Sequence, residues 1–477
     1  MSRHQILSDA QLDEIHEASL EVLRRTGVRV HDAQVVEMLQ GAGCTVEDTD
    51  LVRVPAAAVE EALDRAPSRI VLSDRMGEER LWLEGDNSYF GTGSDLPFTR
   101  DLETGERRPS VLEDVARAAR LVDALPNVDF AMSMAQASDM PSETSDRRSF
   151  LAMIENTTKP IVYTAWDEAG VADILAMAET VVGGADKLVE RPFLLAYLEP
   201  TSPLQHLDVV LRKMLLLADR GLPFVYAPGP IDGASAPMTP AGALVMANAE
   251  ILSGLVIAQL RQPGTPFLFG SGSGPLDMLT AVGTYSSPEF LLHCKAMAEL
   301  GHRRYGLPVW GFSGCSDSKL PDIQAGIDSA LWILWTAMSG ANLVHDLGYL
   351  ESGLTGSLEM IVACDEMVSF VRRLMAGIEI TPETLAVEVI DAVGPGGDFL
   401  GTAHTLRHFR DVWSPQLFDR HNHAGWIDAG RPDFIGTARK IALETVREHR
   451  CEPLAADTID TLRVIVAEAD ARAGIGV

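Results

Sequence analysis

The chain has 477 residues, with 39 Lys+Arg against 68 Asp+Glu and a formal net charge of −29. That field repels phosphate backbones and anionic membrane surfaces, which argues against nucleic acid or lipid as a partner and suits a cationic ligand. The length and a 46% hydrophobic composition suffice for one large core with elaborations.

From its start, Met1-Ser2-Arg3-His4-Gln5 passes straight into a polar helical pattern and lacks the apolar stretch of a secretory leader. Leu12, Ile15, Leu20 and Leu23 follow Asp9 at helical spacing, and Gly27 stops the run. Two more helices are expected over Asp32–Leu39 and Pro55–Leu63, so residues 1–85 read as an N-terminal helical cap.

Residues 86–376 alternate short apolar runs with longer helical patterns. The expected strands are Ser88–Gly93, Val128–Ala135, Ile161–Trp166, Phe193–Glu199, Pro223–Pro228, Pro266–Gly270, Pro308–Gly314 and Ala341–Asp346. They are apolar on both faces, as strands of a covered parallel sheet are. The helices between them begin near Ser110, Ser142, Glu168, Leu204, Pro240, Pro288, Pro321 and Ser357. Eight strand–helix units predict an α/β fold, a TIM (β/α)8 barrel, with a doubly wound open sheet as the alternative. The apolar stretch Leu252–Leu260 is too short to cross a bilayer and is followed by Arg261.

Residues 377–477 form a C-terminal extension expected to pack on the barrel, with a Gly-rich stretch at Asp391–Gly401 and late helices near Asp433–His449 and Ala456–Ala471. The five cysteines are scattered without a CxxC pair, which predicts reduced thiols and a cytoplasmic location.

In a TIM barrel the reacting groups lie at the C-terminal ends of the strands and in the loops that follow. Those positions carry Tyr89, Phe90, Asp95 and Phe98, then Trp166 and Glu199, then Phe312, His345, Asp346 and Tyr349. Strands favour rings for packing alone, and each ring has that ordinary reading beside the functional one. As a group, rings with carboxylates suit a quaternary ammonium, which has no N–H to donate and is held through cation–π and charge attraction. His345 and Asp346 are adjacent at the end of the eighth strand, so one is expected to face the barrel mouth and the other a helix.

Other patterns carry less. Gly270-Ser271-Gly272-Ser273-Gly274 resembles a phosphate-cradling loop but lacks GxGxxG and any P-loop lysine. Cys315 has no orienting His–Asn set and reads as a non-catalytic thiol. His404 and His408 stand four apart and His421 and His423 two apart, outside any HExxH or CxxC setting, so no bound metal is expected.

Several stretches are shared with a known family. They include Ile15-His16-Glu17-Ala18-Ser19, Tyr89-Phe90-Gly91-Thr92-Gly93, Asp101-Leu102-Glu103-Thr104-Gly105, Asp322-Ile323-Gln324-Ala325-Gly326, Gly340-Ala341-Asn342-Leu343 and His404-Thr405-Leu406-Arg407-His408-Phe409. With them, over nearly its whole length, the chain resembles the trimethylamine methyltransferase superfamily of corrinoid-dependent enzymes. The resemblance implies a barrel that passes a methyl group from an N-methylated amine to the Co(I) corrinoid (cobalamin) of a small partner protein. Family members acting on trimethylamine carry pyrrolysine; this sequence has none, and so resembles the branch acting on quaternary amines such as glycine betaine. Carnitine-, choline- or proline betaine-like donors, and a different TIM-barrel lyase, are the alternatives. By strand-end position, Tyr89, Phe90, Phe98, Trp166, Phe312 and Tyr349 are expected at the cage or its mouth, Asp95, Glu199 and Asp346 as charge partners, and His345 orienting the substrate carboxylate or the corrin face, with His345 and Asp346 as the catalytic pair; homo-oligomer formation stays open.

Overall fold

The computed structural model describes residues 5–475. Met1–His4, which open the N-terminus expected to lack a leader, lie outside the described residues.

The eight expected strands meet as a closed parallel barrel. The named strands are Tyr89–Phe90, Ile161–Tyr163, Leu194–Leu198, Phe224–Tyr226, Phe267–Phe269, Trp310–Phe312 and Leu343–His345. The second position is held by single bridges, Gly91 to Phe130 and Ala131 to Ile161. Another bridge, Phe269 to Val309, joins the sixth strand to the seventh. The ring closes where Leu343 and Val344 pair in parallel with Tyr89 and Phe90. Closure excludes the open sheet, because no strand edge is left unpaired. The strands are short but buried on both sides: Phe224, Tyr226, Phe267 and Phe269 are at 0% exposure, with Tyr226 against Gly254 of the surrounding helix Pro240–Arg261 and Phe269 against Tyr305.

Eight helices surround the strands: Leu112–Ala124, Ser145–Asn156, Glu168–Val182, Asp208–Arg220, Pro240–Arg261, Pro288–Glu299, Ile323–Ser339 and Leu358–Met375. Their ends are written in local chemistry. The Asp167, Ser287, Asp322 and Ser357 side chains each accept an N–H at their helix start, and Gly183, Gly221 and Gly340 close helices in left-handed conformation. The fourth helix begins at Asp208 rather than Leu204 because Gln205–His206 pair in parallel with Arg29 and Val30. Pro240–Arg261 is a 22-residue apolar helix, far longer than the Leu252–Leu260 stretch, and it is packed inside the protein from Ala243 through Gln259.

The N-terminal segment is not the purely helical cap expected. Val28–Val30, Leu51–Arg53 and Thr45–Glu47 form a small sheet between its helices. A hairpin, Ile70–Ser73 with Glu79–Leu83, reaches the bottom of the barrel. There Ser73 N–H donates to the Pro192 carbonyl and Arg75 N–H to that of Thr158, just before the fourth and third strands. The opposite end is walled by two other small sheets. One joins Phe98–Arg100 and Arg107–Pro109 to Tyr349–Leu350 and Thr355–Gly356. The other joins Ile231–Asp232 to Gly274–Asp277 and Val282–Gly283.

The C-terminal extension lies outside the helix ring. Phe434–Glu448 packs on Leu358–Met375, and Ala456–Arg472 packs on Glu168–Val182. Arg148 ties the last helix down through Asp470 at 2.6 Å.

Candidate functional site

A cavity of about 550 Å³ opens at the C-terminal end of the barrel. Seven of the residues expected from sequence line it: Asp95, Trp166, Glu199, Phe312, His345, Asp346 and Tyr349. They arrive from the first, third, fourth, seventh and eighth strands and the loops after them, positions that only a closed barrel brings together.

His345 is the centre of a ring cluster. Its imidazole stacks on Trp310 at 4.4 Å between centroids, meets Phe312 at 4.3 Å and Tyr197 at 6.2 Å. The reason is register: Phe312 and His345 are direct partners across the seventh and eighth strands.

Asp346 does not face a helix, contrary to the expected alternation. The eighth strand ends at His345, and Asp346 takes a left-handed φ of 82°. That turn brings its carboxylate back to the same side, with Oδ1 at 2.6 Å from His345 Nδ1. The two atoms lie close without the alignment of a hydrogen bond, and among the described residues His345 Nε2 has no hydrogen-bond partner. A non-glycine residue in this conformation stores backbone strain, as residues at functional sites do.

Three further carboxylates line the cavity, Asp95, Glu199 and Asp146, the last paired with Arg147 at 2.9 Å. Asp95, also at positive φ (58°), accepts hydrogen bonds from Thr164 Oγ1 at 2.7 Å and Ser133 Oγ at 3.1 Å. Desolvation raises its carboxyl, against the lowering effect of those hydroxyls. Glu199 accepts from the Tyr197 hydroxyl at 3.4 Å, and desolvation raises it to about 7. Both side chains remain open to water through the mouth although protein surrounds them closely, so water tempers both shifts. Tyr349 Oη donates to the Ser94 carbonyl at 2.7 Å, which fixes its ring in the wall. Trp166 stands at the rim, 50% exposed, with its indole N–H donating to Ser145 Oγ at 2.9 Å.

Among the described lining residues Lys213 is the only lysine or arginine, and its Nζ donates to the Ala165 carbonyl at 2.8 Å. Rings and carboxylates therefore set the character of the cavity, and that combination attracts a cation.

Three expected residues lie elsewhere. Tyr89 sits early in the first strand, its hydroxyl accepting from Trp82 N–H. Phe90 points into the core at 2% exposure. Phe98 belongs to the outer hairpin, with the Arg107 guanidinium 3.4 Å above its ring. Strand-end position alone did not separate these from true lining residues, because side-chain direction depends on where each strand leaves the barrel.

Tyr285 and Phe290 line the cavity and were missed. They follow the sixth strand at a distance, beyond the Gly274–Gly283 hairpin, so no strand-end rule points to them. The cue was Tyr285 standing two residues before the Ser287 helix cap. The glycine-rich run lets the cavity wall close around the Phe290 and Phe312 rings and the Trp310 backbone. A Cβ on Gly272 would lie 2.5 Å from Phe312 Cζ, and one on Gly270 2.6 Å from the Trp310 carbonyl oxygen. Cys315 is buried, and burial pushes its thiol well up, away from a reactive thiolate.

Comparison with known proteins bears on this geometry. The family model described as trimethylamine methyltransferase (MTTB) matches residues 1–474. A Desulfitobacterium hafniense protein named trimethylamine methyltransferase MttB is 33% identical over 474 residues, covering 98% of this chain and 94% of its own length. Glycine betaine methyltransferase of Desulfitobacterium hafniense is 31% identical over 429 residues, covering 89% of each chain. Among solved structures, the Methanosarcina barkeri monomethylamine methyltransferase aligns over 98% of this chain and 96% of that one, at 12% identity and a TM-score of 0.48.

Proposed function

The chain belongs to the trimethylamine methyltransferase family and is an enzyme of the methyltransferase class; from that premise we propose that it moves a methyl group from a quaternary amine to the Co(I) corrinoid of a partner protein. Glycine betaine or a related betaine is the donor on this reading. The observation that carries it is the cavity itself, where Tyr197, Tyr285, Phe312, His345 and Tyr349 surround a space that Asp95, Glu199 and Asp346 also face.

A bound corrinoid supplies the nucleophile that takes the methyl carbon. The residues present fit a reaction of that kind. The cavity opens at one end, with Trp166 half exposed at its rim, so a second protein can reach it. Its lining groups position a cation and include no cysteine, and His345 is the one imidazole among them.

The rings hold the cationic nitrogen by its methyl groups, each contact worth about 0.5–2 kcal/mol. They also keep water from the positive centre, which strengthens every charge interaction inside. The fixed pair His345–Asp346 sets the floor against which the donor rests. Lys213 keeps two N–H groups beyond the one given to Ala165, and these take the carboxylate tail of a betaine. A quaternary nitrogen leaves as a neutral amine once its methyl is taken, so the site needs no general base. What it supplies is positioning and charge.

Mixing the enzyme with reduced corrinoid protein and candidate betaines tests this, through the Co(I) spectrum turning to that of methyl-Co(III). No change with any quaternary amine, with the partners shown competent, overturns the reading. The names of several relatives favour a second reading, trimethylamine as donor. The same assay with trimethylamine alone separates the two.

A further inference from the structure

The segment between the barrel and the last two helices is held by little apolar burial. Its helices Pro382–Leu385, Val387–Val393, Ala403–His408 and His423–Asp428 contain no buried residue. Leu417 alone, among its described hydrophobic residues, is fully buried. Short isolated helices are marginal in water without a packed face. Residues 413–418 are anchored, through the Trp413 and Phe418 rings on Phe370 and through Glu366, which accepts from Gln416 and Leu417 N–H, so it is the stretch from 377 to 411 that needs something other than a core to keep it in one arrangement.

The fold places three ligand-bearing side chains together there. His404 and His408 lie one turn apart on the same helix, with ring centroids at 4.4 Å. Glu383 reaches them from the Pro382–Leu385 helix, its Oε1 at 3.2 Å from His408 Nε2. One donor atom from each of the three lies within 4.8 Å of the others. Neighbouring ligands of a tetrahedral zinc ion stand roughly 3.4 Å apart, so the His408–Glu383 separation already suits one and small side-chain rotations complete the set. His408 Nδ1 is 2.7 Å from Asp411 Oδ2. With Nδ1–H given to Asp411, Nε2 is left as the atom that turns to an ion, the arrangement in which a carboxylate supports a metal-bound histidine.

We propose that Glu383, His404 and His408 bind a divalent cation of the zinc class, with water at the remaining position, and that this ion clasps the 377–411 segment. Two imidazoles and one carboxylate are borderline ligands of the kind zinc takes. Arg407 now occupies part of the place: its Nη2 donates to Glu383 Oε1 at 2.7 Å, and the cation displaces that guanidinium. The ion joins residue 383 to residues 404 and 408, closing a loop that has no disulfide or core to close it. The expectation of no metal rested on the histidine spacing alone. The third ligand comes from a helix about twenty residues upstream and becomes visible only in the fold.

The test uses the full chain, stripped with a chelator and titrated with zinc chloride, then with cobalt(II) as a spectroscopic probe. One equivalent of zinc is expected to bind, cobalt(II) to give visible d–d bands, and zinc to slow proteolysis within residues 377–411. His404→Ala and His408→Ala should each abolish uptake. Arg407→Ala, which leaves all three ligands in place, should tighten it several-fold, and His421→Ala should leave it unchanged. Absence of stoichiometric uptake by the wild-type chain, or uptake that survives both histidine substitutions, overturns the proposal. The His421→Ala and Arg407→Ala proteins guard against reading a folding defect as a lost ligand.

Discussion

Gly93 and Asp346 stand so close that a Cβ on Gly93 would lie 2.2 Å from Asp346 Oδ1. The same Cβ would lie 2.2 Å from Tyr349 Oη. The loop after the first strand and the turn after the eighth thus fix one another, and no side chain fits between them. Gly93→Ala should displace the Asp346 carboxylate and the Tyr349 ring by about an ångström while the barrel stays folded. A misplacement of that size costs on the order of 10²-fold in turnover. Steady-state methyl transfer with circular dichroism as a control measures it, and wild-type activity in the variant would refute the tight relationship.

The rings give a sharper contrast. Phe312→Leu and Tyr349→Leu retain apolar bulk but lose the π-face toward the cavity. Each should weaken binding of a quaternary amine by about 0.5–2 kcal/mol, read by calorimetry. Tyr89→Leu should change nothing, since its hydroxyl lies outside the cavity, accepting from Trp82 N–H. Equal losses in all three would mean that the cavity wall has been misassigned.

Glu199 makes binding depend on pH. A permanently charged ligand does not titrate, so any dependence near neutrality belongs to the protein. Desolvation by the surrounding protein raises the Glu199 carboxyl to about 7, tempered by water at the mouth, so its negative charge develops as pH rises toward neutrality. Affinity for the cation should therefore increase across the same interval, less steeply than for a fully sealed carboxyl. Glu199→Gln should flatten the profile. A wild-type affinity that is constant from one unit below to one unit above neutrality would remove Glu199 from the site.

Two buried groups contribute to the pH dependence of stability with opposite signs. Glu250, at 0% exposure, is raised by burial to about 7. Its carboxyl binds a proton more tightly when folded, so its contribution is greatest below the unfolded value of 4.5 and is lost as pH rises through about 7. His206, bonded to Tyr226 and Ser253, is lowered by burial to about 4. Its contribution is full above the unfolded value of 6.5 and is lost as pH falls through about 4. Each is worth up to about 3 kcal/mol at the extremes, and between the two unfolded values they offset. Glu250→Gln removes one side of the balance, so thermal melts of that variant should fall more steeply on acidification than those of the wild type. Parallel curves would show that the offset does not exist.

Trp166 separates docking from binding. It is half exposed at the rim and anchored through Ser145, outside the ring cluster around His345. Trp166→Ala should raise KM for the corrinoid protein several-fold while leaving amine affinity within about twofold, since exposed aromatic anchors carry association energy at interfaces. A loss confined to amine binding would place the ring in the cage instead.

The sequence alone determined the eightfold alternation, the helix caps and the acidic, ring-bearing character of the strand ends. These are local properties: hydrophobic period, capping residues and composition act within a few positions of each other. Seven of the ten expected residues line the cavity because a parallel barrel obliges its strand ends to converge. Closure itself was decided only when Leu343 met Tyr89 across more than half the chain. Tertiary structure also decided three things no periodicity encodes. It turned Asp346 back beside His345 through a left-handed backbone angle, a conformation imposed by the packed loops around it. It brought Tyr285 and Phe290 to the cavity from beyond a hairpin, and it sent Phe90 and Phe98 away from it. It set Glu383 beside His404 and His408 across a chain reversal. Side-chain direction at a strand end, and contact between segments distant in sequence, are consequences of packing, and packing exists only once the chain has folded.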